Sequence, residues 1–178
     1  MNKMDYNIIE RCKTGDIKAQ FLLYKQYSKA MYNIAIRFLN NKMDAEDILQ
    51  ESFVKAFENI SSLDHPGAFG SWLKRIVINN CITFLRSGKL YFEDINEQNL
   101  RAEESSEPVI TVEPEVVHSA IKKLPGGARS ILVLYALEGY KHREVAEMLN
   151  ISESTSRTQY HRALKLLNES LKEIVYVN

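Results

Sequence analysis

The stretch 141–167, KHREVAEMLNISESTSRTQYHRALKLL, predicts two helices joined by a tight turn. Val145 and Leu149 recur at helical spacing and give the first helix an apolar stripe. Asn150 suits the sharp turn because its short amide side chain tolerates the left-handed backbone conformation. Ser152 is a favourable N-cap for the second helix. The stretch therefore predicts a helix-turn-helix, and with it a helical fold for this end of the chain.

The second predicted helix has two chemically different sides. Its packing side carries Ser156, Tyr160, Ala163, Leu167 and Leu171. Its other side carries Arg157, Thr158, His161, Arg162 and Lys165. Those donors suit phosphates and base edges, as a DNA-recognition helix requires. An ordinary helical hairpin with a solvated basic face would give the same pattern, and Lys141, Asn150 and Ser156 depart from the most typical helix-turn-helix residues.

The composition limits the class of protein. The chain has 178 residues, 45% of them hydrophobic, which is enough for packed cores in one or two small domains. No apolar run is long enough to span a bilayer, and the N-terminus lacks the apolar core of a signal peptide. We therefore expect a cytoplasmic protein without membrane insertion. Cys12 and Cys81 lack metal-ligand spacing, so we expect free thiols, no metal and no cofactor.

Opposite charges are segregated along the chain, although the formal net charge is zero. Residues 1–88 carry 12 basic against 9 acidic side chains, a net charge of +3. Residues 89–115 carry 2 against 8, a net charge of −6, and residues 116–178 carry 9 against 6, again +3. A protein that is neutral overall can therefore present basic surfaces to a polyanion.

The hydrophobic period predicts an all-α protein of two small helical domains. These domains cover 1–88 and 115–178, and a flexible acidic linker without sustained period joins them over 89–114. Asp16 and Asp44 are the expected N-caps of the second and third helices. The predicted helices before the helix-turn-helix cover about 6–13, 16–40, 44–60, 68–87, 116–123 and 125–138, and the last helix continues to about 175.

Three stretches of the chain resemble those of one protein family. They are DAEDILQESFVKAF at 44–57, FGSWLKRIVINNCITFLR at 69–86, and LPGGARSILVLYALEGYKHREVAEMLNIS at 124–152. In this order and spacing the chain resembles bacterial RNA polymerase sigma factors of the small extracytoplasmic-function (ECF) type. The match covers nearly the whole chain apart from the linker and termini, and its first two stretches are more specific than the helix-turn-helix.

The resemblance implies a sigma factor that directs core RNA polymerase to specific promoters and initiates transcription. The N-terminal domain, region 2, would bind the clamp helices of the largest polymerase subunit and melt the −10 element. The C-terminal domain, region 4, would bind the −35 element of promoter DNA and the flap of the second largest subunit. In this family the linker runs toward the active centre, and an anti-sigma factor commonly holds the protein inactive.

The resemblance also assigns residues to each contact. The polymerase-docking residues are Asp47, Gln50 and Glu51. The −10 DNA-binding residues are Phe69, Trp72, Lys74, Arg75, Asn79, Asn80 and Arg86. The −35 DNA-binding residues are Ser154, Thr155, Arg157, Thr158, His161, Arg162 and Lys165. From helical spacing alone, the docking residues also fit a solvated helix face, and Trp72 fits either a core or a contact position.

The sequence has no arrangement typical of an enzyme. Its four histidines do not fall at metal-ligand or catalytic-triad spacing, and P-loop, GxSxG and HExxH motifs are absent. The alternative hypothesis is a self-sufficient dimeric helix-turn-helix transcriptional regulator, which would bind palindromic DNA without polymerase. A third is an adaptor that uses its helices only for protein contacts. The presence of both 44–57 and 69–86 favours the sigma factor, because a regulator has no need of both.

Overall fold

The computed structural model describes residues 3–87 and 113–176, and within these ranges the chain is helical without strands. The all-α prediction is therefore confirmed. The α-helices are α1 (Lys3–Lys13), α2 (Ile17–Leu39), α3 (Lys42–Glu58), α4 (Phe69–Ser87), α5 (Pro114–Lys123), α6 (Gly126–Leu132), α7 (His142–Leu149) and α8 (Glu153–Tyr176). Backbone contacts divide the chain into an N-terminal unit, Met1–Phe84, and a C-terminal unit, Leu85–Asn178. The predicted linker lies outside the described residues except for its last two, and the second of these, Pro114, begins α5.

Asp16 caps α2, as predicted. Its carboxylate accepts hydrogen bonds from the backbone N–H groups of Lys18 (2.9 Å) and Ala19 (3.2 Å). Arg11 donates from Nε to the same side chain (2.8 Å), and this bond, followed by the Ala19 bond, holds the pKa of Asp16 below its usual range. The cap therefore stabilises the start of α2 and ties it to α1.

The prediction that Asp44 caps α3 is wrong, because the helix begins two residues earlier. Asn41 is the N-cap, and its Oδ1 accepts from the backbone N–H of Met43 (2.9 Å) and of Asp44 (3.4 Å). Asp44 lies in the first turn, where its negative charge opposes the positive end of the helix dipole. Asn40 makes this early start possible, since its left-handed backbone (φ 54°) ends α2 one residue before the cap.

The core of the N-terminal unit lies where α2 packs against α1 and α3, and α4 contributes buried side chains to it. Its largest fully buried side chains include Phe38, Phe69, Ile9, Leu23, Leu73 and Ile78. The start of α4 approaches α2 closely, because a Cβ built on Gly70 would lie 3.0 Å from the Tyr27 ring. Phe69 meets the same ring edge-on, with centroids 5.2 Å apart. Glycine at 70 therefore permits the contact that fixes where α4 begins.

The C-terminal unit is built around α8. Its core cluster is Ile121, Leu124, Ala128, Leu132 and Ala163. Pro125 is the N-cap of α6, not its first residue as predicted, and the chain turns through a π-helical segment, Val133–Leu137, before Gly139 (φ 78°). Arg129 is buried and donates from one Nη to the carbonyl of Lys122 in the last turn of α5 (3.1 Å). This bond satisfies a carbonyl that the end of a helix leaves without an intrahelical partner.

Both cysteines are free and buried in the N-terminal unit. Burial raises the pKa of Cys12 to about 11 and that of Cys81 to about 12. In the described ranges no group of histidine, cysteine and carboxylate side chains could hold a metal ion. No helix in the same ranges is sufficiently long and apolar to cross a membrane.

Candidate nucleic-acid interface

Five of the predicted −35 residues form one exposed stripe along α8. They are Ser154, Arg157, Thr158, His161 and Lys165, at helical spacings that keep them on one side. The stripe spans about 16 Å of helix axis, which a DNA major groove can accommodate. Thr155 and Arg162 are half-buried at its edge. The structure thus groups this set on one surface, the α8 stripe.

The turn before α8 fixes where this stripe begins. Asn150 adopts the left-handed conformation (φ 54°), as predicted, and the next N–H, of Ile151, donates to the carbonyl of Ala146 (3.0 Å). Ser152 is the N-cap, as predicted, and its Oγ accepts from the backbone N–H of Thr155 (3.0 Å). A sharp turn and a side-chain cap, which is typically worth about 1 kcal/mol, therefore hold the first turn of α8 in place.

An acidic residue interrupts the positive charge of the α8 stripe. Glu153 accepts from an Nη of Arg157 one turn away (2.5 Å), and both side chains are largely exposed. An exposed pair of this kind contributes about 0–1 kcal/mol to stability. Its larger effect is on the surface potential, because Glu153 neutralises one of the cations expected to meet DNA phosphates. The sequence prediction did not include this pair.

A buried polar cluster lies behind the α8 stripe. His142, the first residue of α7, is 9% exposed, and its Nδ1 lies 3.0 Å from Oγ of the fully buried Ser156. Its ring stacks on Tyr135 and meets Tyr160 edge-on. The polar residue that seemed out of place on the packing side of α8 therefore has a partner on α7. No sequence spacing within one helix could have indicated it.

A second exposed stripe runs along α4. Trp72, Arg75, Asn79 and Arg86 follow one another at helical spacing, with Thr83 among them. Trp72 is half-buried and packs on Phe69, with ring centroids 6.0 Å apart, while the other side chains are exposed. An aromatic ring, an amide and two guanidinium groups on one line combine base stacking with backbone neutralisation. We call this surface the α4 stripe.

Three other residues of the predicted −10 set lie off this stripe. Phe69 is 1% exposed, and Lys74 is half-buried on another side of α4. Asn80 is 8% exposed and faces α3, where its Nδ2 donates to Ser52 Oγ (2.9 Å) and its Oδ1 accepts from Lys55 Nζ (2.9 Å). In this conformation Phe69 and Asn80 support α4 from within the unit.

The predicted polymerase-docking residues share an exposed face of α3. Asp47, Gln50 and Glu51 are all exposed, and Met43 and Val54 lie on the same side, 74% and 55% exposed. Glu51 also pairs with Lys55 one turn on (2.6 Å). Large apolar side chains beside carboxylates in water are typical of a protein-binding surface. Sequence reasoning missed Met43 and Val54, whose exposure depends on which side of α3 the core occupies.

An open groove of about 570 Å³ adjoins this face between α2 and α3. Its lining includes Tyr24, Lys29, Tyr32, Lys42, Glu46 and Gln50. Phe21 and Leu22 on α2 are also exposed, 63% and 44%. The α3 face and the groove together form a mixed apolar and charged surface, whereas both stripes described above are basic or polar.

A helix-turn-helix with a basic exposed face is typical of DNA-binding transcription proteins. Comparison with known proteins specifies which kind. The family model Sigma-70 region 2 matches residues 23–90, and Sigma-70, region 4 matches residues 115–167. The ECF RNA polymerase sigma factor SigW of Bacillus subtilis is 30% identical over 98% of this chain and 100% of its own length. The RNA polymerase sigma-H factor of Pseudomonas aeruginosa is 26% identical over 97% and 96%.

Solved structures agree with these matches. CnrH, in complex with the cytosolic domain of CnrY, is 25% identical, with a TM-score of 0.54 over 95% of this chain and 97% of that one. The sigma factor RpoE in complex with the anti-sigma factor NepR from Bartonella quintana shares the fold, with 19% identity and a TM-score of 0.57 over 88% and 98%. The chain belongs to the ECF RNA polymerase sigma factors. It is therefore an RNA polymerase sigma factor, and the hypothesis of a self-sufficient dimeric regulator is not favoured.

Proposed function

We propose that the three surfaces divide the work of promoter recognition. The α3 face docks on the clamp helices of core polymerase, the α8 stripe binds the −35 element, and the α4 stripe holds the opened −10 strand. The C-terminal unit also binds the polymerase flap. The chain acts in the cytoplasm as an initiation factor, not as an enzyme.

The observation that carries the proposal is the composition of the α4 stripe. A melted strand exposes unstacked bases, and extruding one base costs a few kcal/mol that the protein must recover. Trp72 supplies a ring, Asn79 supplies an amide for a base edge, and Arg75 and Arg86 supply charge for phosphates. A helix that served only as a scaffold would have no need of this combination on its exposed side.

Polymerase docking is supported by the chemistry of the α3 face. Asp47 and Glu51 can accept charge-assisted bonds from arginines, and the neighbouring Met43 and Val54 offer apolar area that loses water on contact. An anti-sigma factor is a further proposed partner, as the family resemblance implies, and the similar protein CnrH was solved with a second protein bound, the cytosolic domain of CnrY.

The deciding experiment is transcription of fragmented genomic DNA by core polymerase with and without this chain. Sequencing of transcript 5′ ends should reveal new start sites preceded by a shared pair of −35 and −10 sequences. If no new start sites appear and the chain does not co-purify with core polymerase, the proposal is wrong.

Two variants separate docking from melting. Asp47→Lys should abolish co-purification with polymerase, whereas Glu173→Lys makes the same charge change at an exposed position on α8 and should retain it.

Asn79→Ala should keep co-purification but lower the reactivity of −10 thymines to permanganate, which reports strand opening. Asn33→Ala, an exposed asparagine on α2, is the matched control. Loss of polymerase binding in Asn79→Ala would make Asn79 a structural residue.

A further inference from the structure

His142 joins the two helices of the helix-turn-helix at the point where α8 starts. Its Nδ1 lies 3.0 Å from Oγ of Ser156, and the pair is buried, with 9% and 0% of the two residues exposed. Ser156 immediately precedes Arg157 on α8. A shift or rotation of the first turns of α8 would therefore both stretch this bond and change the direction in which the α8 stripe faces.

Two elements pack against the His142 ring. Tyr135, in the π-helical segment, stacks on it with centroids 4.0 Å apart and planes at 16°, and Tyr160 on α8 meets it at 5.7 Å and 65°. The two tyrosine rings also contact each other, with centroids 4.6 Å apart. The imidazole is thus packed between two tyrosine rings, and the Ser156 hydroxyl lies at its Nδ1.

The charges around the site favour a neutral ring. Burial lowers the pKa of His142 from its usual 6.5, Arg157 and His161 lower it further, and Glu153 opposes them. Burial raises the pKa of the Tyr160 phenol above its usual value of about 10, so this neighbour is neutral near pH 7. The pKa of His142 is lower in the folded state than in the unfolded chain. The neutral ring therefore contributes its full stabilisation to the folded state above about pH 6.5, and this stabilisation is lost as the pH falls through the folded-state pKa.

We propose that His142 is a positioning residue for −35 recognition. Its neutral ring, bonded to Ser156 and stacked on Tyr135, fixes the orientation of the α8 stripe. A proton on the ring releases it, because it places a positive charge in a buried cluster near Arg157. The inference rests on the proposed role of α8 at the −35 element. Acidification thus weakens selective promoter capture from within the helix-turn-helix, on the side away from DNA.

The test measures discrimination by the complex of this chain with core polymerase. The probes are a duplex carrying the −35 sequence recovered from the transcripts and the same duplex with that sequence scrambled. The ratio of the two affinities is followed from about pH 7.5 to about pH 5.5. Effects of pH on polymerase itself fall on both duplexes and cancel in the ratio. Every residue of the α8 stripe, His161 included, is kept in all proteins, so that a difference between the curves with and without His142→Gln belongs to His142.

With His142 present, the ratio should fall about threefold to tenfold on acidification. Glutamine retains hydrogen-bonding groups but cannot titrate in this range. In His142→Gln the affinity ratio should therefore change by less than about twofold between the two pH values. Ser156→Ala should lower the ratio already at the higher pH, and Ser170→Ala, which removes another buried hydroxyl of α8, should not. Ser170 Oγ makes no hydrogen bond within the described ranges, which makes it the matched control.

Each outcome is decisive. Equal pH dependence with and without His142→Gln would overturn the proposal, and so would full discrimination in Ser156→Ala. If His142→Gln loses helical circular dichroism, the Ser156→Ala and Ser170→Ala pair alone decides. A failure of the proposed −35 role looks different, because discrimination would then be absent at every pH.

Discussion

Lys55 on α3 donates a hydrogen bond from Nζ to Oδ1 of Asn80 on α4, across 2.9 Å. The same Asn80 donates to Ser52 Oγ (2.9 Å), whose hydroxyl donates to the carbonyl of Ile48 (2.6 Å). Lys55 also pairs with Glu51 on the α3 face. A continuous polar chain therefore links the face proposed to meet polymerase with the helix proposed to hold opened DNA.

Asn80→Ala should destabilise the N-terminal unit by about 1–3 kcal/mol, because it removes two hydrogen bonds and leaves a buried space. Urea unfolding followed by Trp72 fluorescence measures this effect. Trp72 is the only tryptophan in the sequence, so the signal reports this unit alone. Asn79→Ala, at the exposed neighbouring position, should change the unfolding free energy by less than about 0.5 kcal/mol. Equal effects at both positions would contradict the assigned network.

Asn150→Ala should destabilise the helix-turn-helix by about 1 kcal/mol, because alanine tolerates the left-handed backbone poorly. Asn150→Gly should stay within about 0.5 kcal/mol of wild type, since glycine adopts that conformation without strain. Native-state hydrogen exchange of peptides from α7 and α8 measures the difference. Asn40, with the same φ of 54° at the end of α2, offers a parallel pair of substitutions read by Trp72. Equal stability of the alanine and glycine variants would contradict the prediction, because it would show that the turn can give up the left-handed conformation at residue 150 without cost.

Glu153→Gln should strengthen binding of the holoenzyme to −35 DNA about twofold to tenfold at low salt, because it removes a negative charge beside Arg157. The gain should shrink as salt is raised. Fluorescence anisotropy over a salt series measures it, with Glu169→Gln as control, since Glu169 lies about 24 Å further along α8. Weaker binding in Glu153→Gln would instead mean that the carboxylate orients Arg157 for DNA.

Both thiols should resist labelling by a disulfide reagent at about pH 8 while the chain is folded. At that pH a thiol of pKa about 11 or 12 is ionised in about one molecule per thousand or fewer, and burial blocks access as well. Labelling should accelerate at least about 100-fold in denaturing guanidinium chloride. A Ser71→Cys variant supplies an exposed thiol as positive control. Rapid reaction of two native thiols would contradict the burial.

The sequence predicted the helices well because apolar residues at helical spacing mark each buried face directly. Cap positions were harder. Asp44 looked like the cap of α3, but Asn41 offers a side chain of similar reach two residues before Met43, and only the left-handed turn at Asn40 decides between them. Local chemistry permits either start, and the turn that ends α2 at Asn40 selects the one at Asn41.

The candidate site could be predicted as a set of residues but not residue by residue. Asn79 and Asn80 are chemically identical neighbours, yet they point about 100° apart on α4. One is exposed on the α4 stripe and the other meets Lys55 and Ser52, more than 20 residues earlier in the chain. Likewise Ser156 seemed misplaced until His142, on another helix, supplied its partner. Contacts between distant residues leave no local period to detect.

The exposure of Met43 carries a chemical consequence. Its thioether, 74% exposed on the α3 face, is open to peroxide, whereas both cysteine sulfurs are enclosed in the core. Oxidation would replace this exposed apolar side chain with a polar sulfoxide. Among the methionines whose side chains the structure describes, Met31 is buried and Met148 half-buried, so oxidation of these would fall first on the proposed docking surface, and methionine sulfoxide reductase could reverse it.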